Sequence, residues 1–182
     1  MSLRPIHVIA DVIANHAELV ALAEQHKDLF LSYPRPEAAA ARPADWTFDP
    51  YRDTEYEDED RYAVLQQNQM PPELVRAVVA GAFGRYEHFR PGSYYFQINR
   101  YDRGGYVLPH RDELQQGLYV LTSSAQDGLT VQDEQGGFRR IYDQAGTFIL
   151  NDANAWHWVD PVVQAPRYTL LTIPPVWDFD DL

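Results

Sequence analysis

Four side chains carry the chemistry that can be read from this sequence: His110, Asp112, His157 and Arg167. His110 and Asp112 are two residues apart, so in an extended segment they point the same way, because strand side chains alternate with period two. A second imidazole from His157 would complete a set of two nitrogens and one carboxylate on one face of a metal. That set suits Fe(II) and leaves three coordination positions open for other ligands. Arg167 lies ten residues beyond His157 and opens the apolar run Tyr168-Thr169-Leu170-Leu171-Thr172-Ile173. A fixed cation on a buried strand requires an anion, and the planar guanidinium fork suits a carboxylate.

Either element alone is common by chance. A His-x-Asp occurs in many proteins, and a histidine between Trp156 and Trp158 is more often packed than ligating. Order, spacing, strand context and a downstream arginine agree here, and that conjunction favours the functional reading.

The surrounding residues make the pattern more specific. Asn99-Arg100-Tyr101-Asp102-Arg103-Gly104-Gly105-Tyr106-Val107-Leu108-Pro109-His110-Arg111-Asp112, then Gly146-Thr147-Phe148-Ile149-Leu150, His157-Trp158-Val159-Asp160-Pro161-Val162 and Arg167-Tyr168-Thr169 resemble the 2-oxoglutarate- and Fe(II)-dependent dioxygenases, especially their compact prolyl-hydroxylase-like branch. The resemblance covers Tyr94 to Pro174. It implies a mainly β fold, a double-stranded β-helix (a cupin-like jelly roll) with N-terminal flanking helices. It also implies His110, Asp112 and His157 on iron and Arg167 on the distal carboxylate of 2-oxoglutarate. Tyr101 matches the family tyrosine that supports the same carboxylate, and Thr169 sits where many members carry a hydroxyl residue.

The activity so implied is hydroxylation of an unactivated C–H bond, with succinate and carbon dioxide as co-products. Fe(II), 2-oxoglutarate and O2 are the cofactor and cosubstrates, with ascorbate as an optional auxiliary. Related halogenases resemble this triad with a small residue in place of the carboxylate; Asp112 is retained here, which favours hydroxylation. The expected substrate is a small molecule, an amino acid or a secondary metabolite. Alternatives are a peptidyl (prolyl-type) hydroxylase and, from another class, a cupin-like metal-binding module without turnover. Cupins resemble a His-x-His start with a later Glu, and a binding-only jelly roll gives no reason for Arg167.

Length and composition bound the other classes. At 182 residues the chain is most simply one domain with room for a full core. Residues 1–92 are expected to pack a strand, helices and an acidic loop on a jelly-roll core at 93–174. With no Cys there is no disulfide frame and no thiolate chemistry. The net charge of −12 argues against a nucleic-acid partner, which draws affinity from clustered Lys and Arg. Nucleic-acid demethylases of the same family resemble an Arg-x5-Arg arrangement, and the position six beyond Arg167 is Ile173. No apolar run approaches the ~18 residues of a membrane span, and the first residues lack the pattern of a signal peptide. A cytoplasmic protein without a membrane partner is the expectation.

The elements that must position these groups follow from periodicity. Ile6 to Ile13 reads as a strand. A helix follows, capped by Asn15 or Asp11, with Leu19, Leu22, Ala23, Leu29 and Phe30 as its apolar stripe. His16 and His26 lie in or beside it as solvated residues. Prolines punctuate Ser32 to Pro50, and Tyr51 to Tyr62 carries Asp53, Glu55, Glu57, Asp58, Glu59 and Asp60, a solvated loop or a lid. Pro71-Pro72-Glu73 opens a second helix running to the neighbourhood of His88. From Ser93 the period becomes two. Strands are expected around Tyr94–Asn99, Tyr106–His110, Leu118–Thr122, Leu129–Val131, Phe138–Tyr142, Gly146–Leu150, Trp156–Val159 and Tyr168–Ile173. Trp156, Trp158 and Arg111 flank the ligands and are candidates to line the pocket, although alternation puts Arg111 on the opposite side of its strand, where it would be a surface residue. The tail, Trp177 to Leu182, reads as acidic and peripheral.

Overall fold

From Tyr95 onward short strands alternate with tight turns, and the turns dictate where each strand stops. Asp133 shows how. Its carboxylate accepts the backbone N–H groups of Gln135 and Gly137, and Gly136 takes φ +87°, where a side chain would be strained. The flanking strands are thereby folded into a hairpin. The computed structural model describes residues 2–32, 61–84, 92–177 and 179–182. The acidic run 53–60, most of the proline-rich stretch and His88 lie outside these residues.

Among the described residues the strands are β1 (His7–Ile9), β2 (Leu31–Ser32), β3 (Ala63–Gln66), β4 (Tyr95–Tyr101), β5 (Val107–His110), β6 (Gly117–Val120), β7 (Gly128–Gln132), β8 (Phe138–Tyr142), β9 (Phe148–Leu150), β10 (His157–Val159) and β11 (Arg167–Ile173). They form two antiparallel sheets: a seven-stranded one in the order β1-β9-β6-β11-β4-β3-β2, and a four-stranded one in the order β5-β10-β7-β8. This is the double-stranded β-helix expected from the resemblance. Helices α1 (His16–Gln25) and α2 (Pro72–Val78) flank it, and α2 widens into a π-helical turn over Val79–Phe83.

Strand alternation divides the apolar residues between two cores. Phe96, Ile98, Tyr119, Phe148, Tyr168 and Leu170 project from the outer face of the large sheet onto Leu19, Ala23, Leu74 and Val78 of the helices. Tyr101, Val107, Val120, Val131, Ile149 and Val159 fill the space between the sheets. Burial of this apolar surface is the main force that holds sheet to sheet and helix to sheet.

Several local expectations are corrected. The first strand is only His7–Ile9, because Asp11 takes φ 56° and turns the chain; Val12 and Ile13 then donate to the Gly146 carbonyl oxygen. Asn15 precedes α1 but does not cap it: its Nδ2 donates to the Ala77 carbonyl at 3.0 Å and so ties α1 to α2. Leu29 is 42% exposed rather than part of the buried stripe. His26 is not merely solvated, since its Nε2 meets Glu73 Oε1 at 3.0 Å. β3 was not expected; it enters the large sheet beside β4 with Val64 and Leu65 buried. Nor does the whole tail sit free, because Trp177 packs edge-on against Phe148 and Phe179 packs against His7.

Candidate metal and anion site

The two histidines come from neighbouring strands of the small sheet. β10 pairs antiparallel with β5, and in that register His157 stands directly opposite His110, with ring centroids 4.3 Å apart. Each ring is oriented by the backbone carbonyl two residues before it. His110 Nδ1 donates to the Leu108 carbonyl at 2.8 Å, and His157 Nδ1 donates to the Ala155 carbonyl at 3.0 Å. A carbonyl oxygen can only accept, so in the neutral ring the proton sits on Nδ1 and Nε2 offers a lone pair. Fixing the non-ligating nitrogen in this way is the usual support of a metal-binding imidazole.

Asp112 completes the group. Its Oδ1 lies 3.6 Å from His110 Nε2 and its Oδ2 lies 3.4 Å from His157 Nε2. One ligand atom from each of the three residues falls within 4.8 Å of the others. Asp112 is not on the strand, which ends at His110; its position is set by its backbone N–H, which donates to the Ala153 carbonyl at 2.9 Å. Alternation therefore gives the right side of the chain, but the loop 151–155 sets the distance. Two oriented nitrogens and a carboxylate, all facing one point, fit a divalent iron bound on one face.

Arg167 opens β11, opposite Tyr101 on β4. Its side chain is 1% exposed. The anion expected from sequence is partly supplied by the chain itself. Nε and Nη2 donate to Asp143 Oδ2 and Oδ1 at 2.6 and 3.0 Å, a bidentate fork that leaves Nη1 buried without a hydrogen-bond partner. Burial works to lower the basicity of Arg167, but Asp143, with Tyr101 and Asp127, more than offsets this and raises it above its ordinary value. The guanidinium also lies over the Tyr101 ring, 4.8 Å from its centroid. Arg167, Tyr101, His110, Asp112 and His157 line one cavity of about 230 Å³. A buried guanidinium N–H without a partner, on a residue that lines this cavity, suits one carboxylate oxygen of a dicarboxylate reaching toward the metal position.

The other expected residues divide. Thr169 is fully buried and does not line the cavity; its Oγ1 accepts from Asn99 Nδ2 at 3.3 Å. Trp158 borders the cavity, with its Nε1 on Asp160 Oδ1. Arg111 is turned outward, its guanidinium 4.8 Å from the Trp156 ring centroid, so neither of that pair lines the cavity. The sequence reading missed Asp143, 24 residues from its partner, and the wall residues Tyr62, Gln66, Gln97 and Asn99. Of these, only the alternation of Tyr95, Gln97 and Asn99 left a signal.

No family model and no curated protein matches the sequence. Solved structures do. A prolyl-4-hydroxylase from Pseudomonas putida shares 16% identity over 92% of this chain and 90% of its own, with a TM-score of 0.51. The non-heme alpha-ketoglutarate-dependent epimerase SnoN from nogalamycin biosynthesis is 10% identical over 92% of this chain and 74% of its own, with a TM-score of 0.62. A prolyl hydroxylase from Trichoplax adhaerens, in complex with a hypoxia-inducible-factor peptide fragment, is 12% identical over 92% and 81%, with a TM-score of 0.58. The chain has the double-stranded β-helix fold of the 2-oxoglutarate- and Fe(II)-dependent oxygenases.

Proposed function

We propose that this protein is a 2-oxoglutarate- and Fe(II)-dependent oxygenase that hydroxylates an unactivated C–H bond of a small molecule. One observation carries the reading: the candidate ligand atoms of His110, Asp112 and His157 converge on a cavity that Arg167 also lines, and Arg167 keeps a buried Nη1 without a hydrogen-bond partner. A metal-binding module would account for the triad alone. It would leave a buried N–H of Arg167 with no function.

In this reading His110, Asp112 and His157 hold the iron, and Arg167 takes the distal carboxylate of 2-oxoglutarate. When bound, the two supply oxidising power that the side chains lack, with succinate and carbon dioxide as co-products. The chain's own part is positional. Asp143 holds the Arg167 fork through Nε and Nη2 and leaves Nη1 for the carboxylate. Tyr101 covers the face of the same guanidinium, and Thr169 steadies Asn99 behind it. Val107, Leu129, Val159 and Leu171 keep the walls dry, which strengthens every electrostatic contact inside. Residues 93–174 form the catalytic core of one domain, and the strands from 1–92 extend its larger sheet.

A small substrate is supported by the size of the cavity, which lies below the usual range of about 300–1,000 Å³ for ligand sites. The structural neighbours cover both sizes, since one is caught with a peptide fragment and another comes from a secondary-metabolite route. Among the described residues no helix is long and apolar enough to cross a membrane, and with the net charge of −12 a free, diffusible substrate is the reading we adopt.

The test is an anaerobic titration of the metal-free protein with Fe(II) and 2-oxoglutarate, watching the visible metal-to-ligand charge-transfer band. The band is expected in the wild type, lost with His110→Ala and weakened with Arg167→Ala. Bound metal without any band would assign the fold to a binding module instead.

A further inference from the structure

The polar face of β4 is turned into the cavity and not to solvent. Tyr95, Gln97, Asn99 and Tyr101 share that face and all line the cavity, while Phe96 and Ile98 fill the opposite core. Amides on an inner sheet face cost stability unless they are hydrogen-bonded. Here they bond one another in a single direction. The Tyr95 hydroxyl donates to Gln97 Oε1 at 2.9 Å, Gln97 Nε2 donates to Asn99 Oδ1 at 2.8 Å, and Asn99 Nδ2 donates to Thr169 Oγ1 at 3.3 Å.

A carboxamide has two N–H donors and two acceptor lone pairs. Membership of the row engages one of each and fixes the plane of both amides, and the second donor and second lone pair remain for a ligand. Gln66 stands opposite Gln97 on β3 and lines the same cavity. Gln116 and Asn151 add two more amides to the wall. Among the described lining residues the carboxylate and guanidinium groups are Asp112 and Arg167, which the oxygenase reading already assigns to the metal and to 2-oxoglutarate. An ammonium or carboxylate seated on this row would lose its water for neutral partners only, which is costly. A hydroxyl or carboxamide both donates and accepts, and matches what the row offers.

We propose that the Tyr95–Gln97–Asn99 row, with Gln66, reads the substrate, and that the substrate is a neutral molecule presenting hydroxyl or carboxamide groups. The proposal rests on the oxygenase reading and narrows it: a free amino acid is disfavoured against an uncharged metabolite.

The experiment uses the full chain loaded with Fe(II) and matched probes. L-proline, L-leucine and L-phenylalanine as free zwitterions are compared with their N-acetyl methylamides. Binding is followed by saturation-transfer NMR at millimolar probe, with succinate release recorded in parallel. Substrate-free conversion of 2-oxoglutarate to succinate reports on the oxygenase reading separately, so its absence would sink that reading while NMR binding still judges this one. The capped probes are expected to bind and the zwitterions not. Gln97→Leu should weaken the capped probes about tenfold, the loss of one or two hydrogen bonds. Gln97→Glu keeps the side-chain shape and should move the preference toward a third probe set, the methylamides of the same amino acids left unacetylated, which retain a free ammonium. Zwitterions that bind as well as the capped forms, no binding by any capped probe, or a Gln97→Glu variant with unchanged preference would each overturn the proposal.

Discussion

Arg167 and Asp143 form a bidentate ion pair in which each side chain is only 1% exposed, one at the start of β11 and the other just past the end of β8. Such a pair is costly to break from one side, because the survivor is left charged in a low dielectric. Asp143→Ala should therefore lower the free energy of unfolding by about 3–5 kcal/mol, read from urea denaturation. Asp143→Asn keeps one acceptor for the guanidinium and should lose less. Both variants should also weaken the charge-transfer band with 2-oxoglutarate, since the Arg167 guanidinium is no longer held by the fork. An Asp143→Ala protein with wild-type stability would show that Arg167 finds another partner.

The triad makes a second prediction. Replacing the partner that merely orients a metal-bound histidine costs about 10–100-fold in affinity, so loss of a ligand itself should cost more. His110→Ala, His157→Ala and Asp112→Ala are each expected to reduce Fe(II) affinity by more than about a hundredfold, measured by calorimetry under argon. Asp112→Ala should also abolish hydroxylation. Full turnover in that variant would remove Asp112 from the metal.

What the sequence showed and what it hid follow one rule. The site was legible where its geometry is local or where a strong strand carries it. His110 and Asp112 sit two apart, Arg167 opens an apolar run, and the turn at Gly136 separates two short strands. It was hidden where a contact spans the chain. Asp143 is one of many carboxylates in the sequence, and only the folded chain, which brings the residue after β8 to the first residue of β11, marks it as the partner of Arg167. β3 is four residues long, its two buried side chains, Val64 and Leu65, adjacent rather than alternating, so no period announces it. The polar face of β4 was read correctly as an alternation, but alternation alone cannot say whether the second face meets water or a cavity.

The loop before β11 makes a third prediction, about acid. Burial pushes the Asp127 carboxyl upward, but the backbone N–H of Val163, the Ser124 hydroxyl, the backbone N–H of Gln164 and the charge of Arg167 outweigh it and hold the group below its ordinary value. The contacts are short, at 2.7, 2.8 and 2.9 Å. Asp152 is lowered in the same way by the N–H groups of Asn154 and Arg4. A carboxyl depressed by folding contributes its stability above the unfolded value of about 3.9 and loses it as pH falls through the folded one. Stability should accordingly hold through neutral pH from this source and fall below about pH 4. Asp127→Asn should be less stable at pH 7 by about 1–3 kcal/mol and show a shallower decline in acid. Parallel acid curves for the two proteins would show that Asp127 does not contribute to the fall.

Tyr168 tests whether β11 keeps its two faces separate. It follows Arg167, so its side chain leaves the opposite side of the strand, where it is fully buried against α1. Its hydroxyl donates to Glu24 Oε1 at 2.7 Å and accepts from Arg100 Nε at 3.0 Å. Tyr168→Phe removes both bonds while keeping the ring. Glu24 and Arg100 are 38% and 20% exposed and can turn to water, so the cost should stay near 1–1.5 kcal/mol, the ordinary net value of a hydrogen bond or two. The loosening should be confined to α1, seen as faster amide exchange over residues 16–25 with no change over β5 and β10. Affinity for Fe(II) and for 2-oxoglutarate should be unaltered, because the cavity lies on the other face of the strand. A weakened charge-transfer band in this variant would mean that α1 and the anion site are coupled through β11, and that the helix helps set where Arg167 sits.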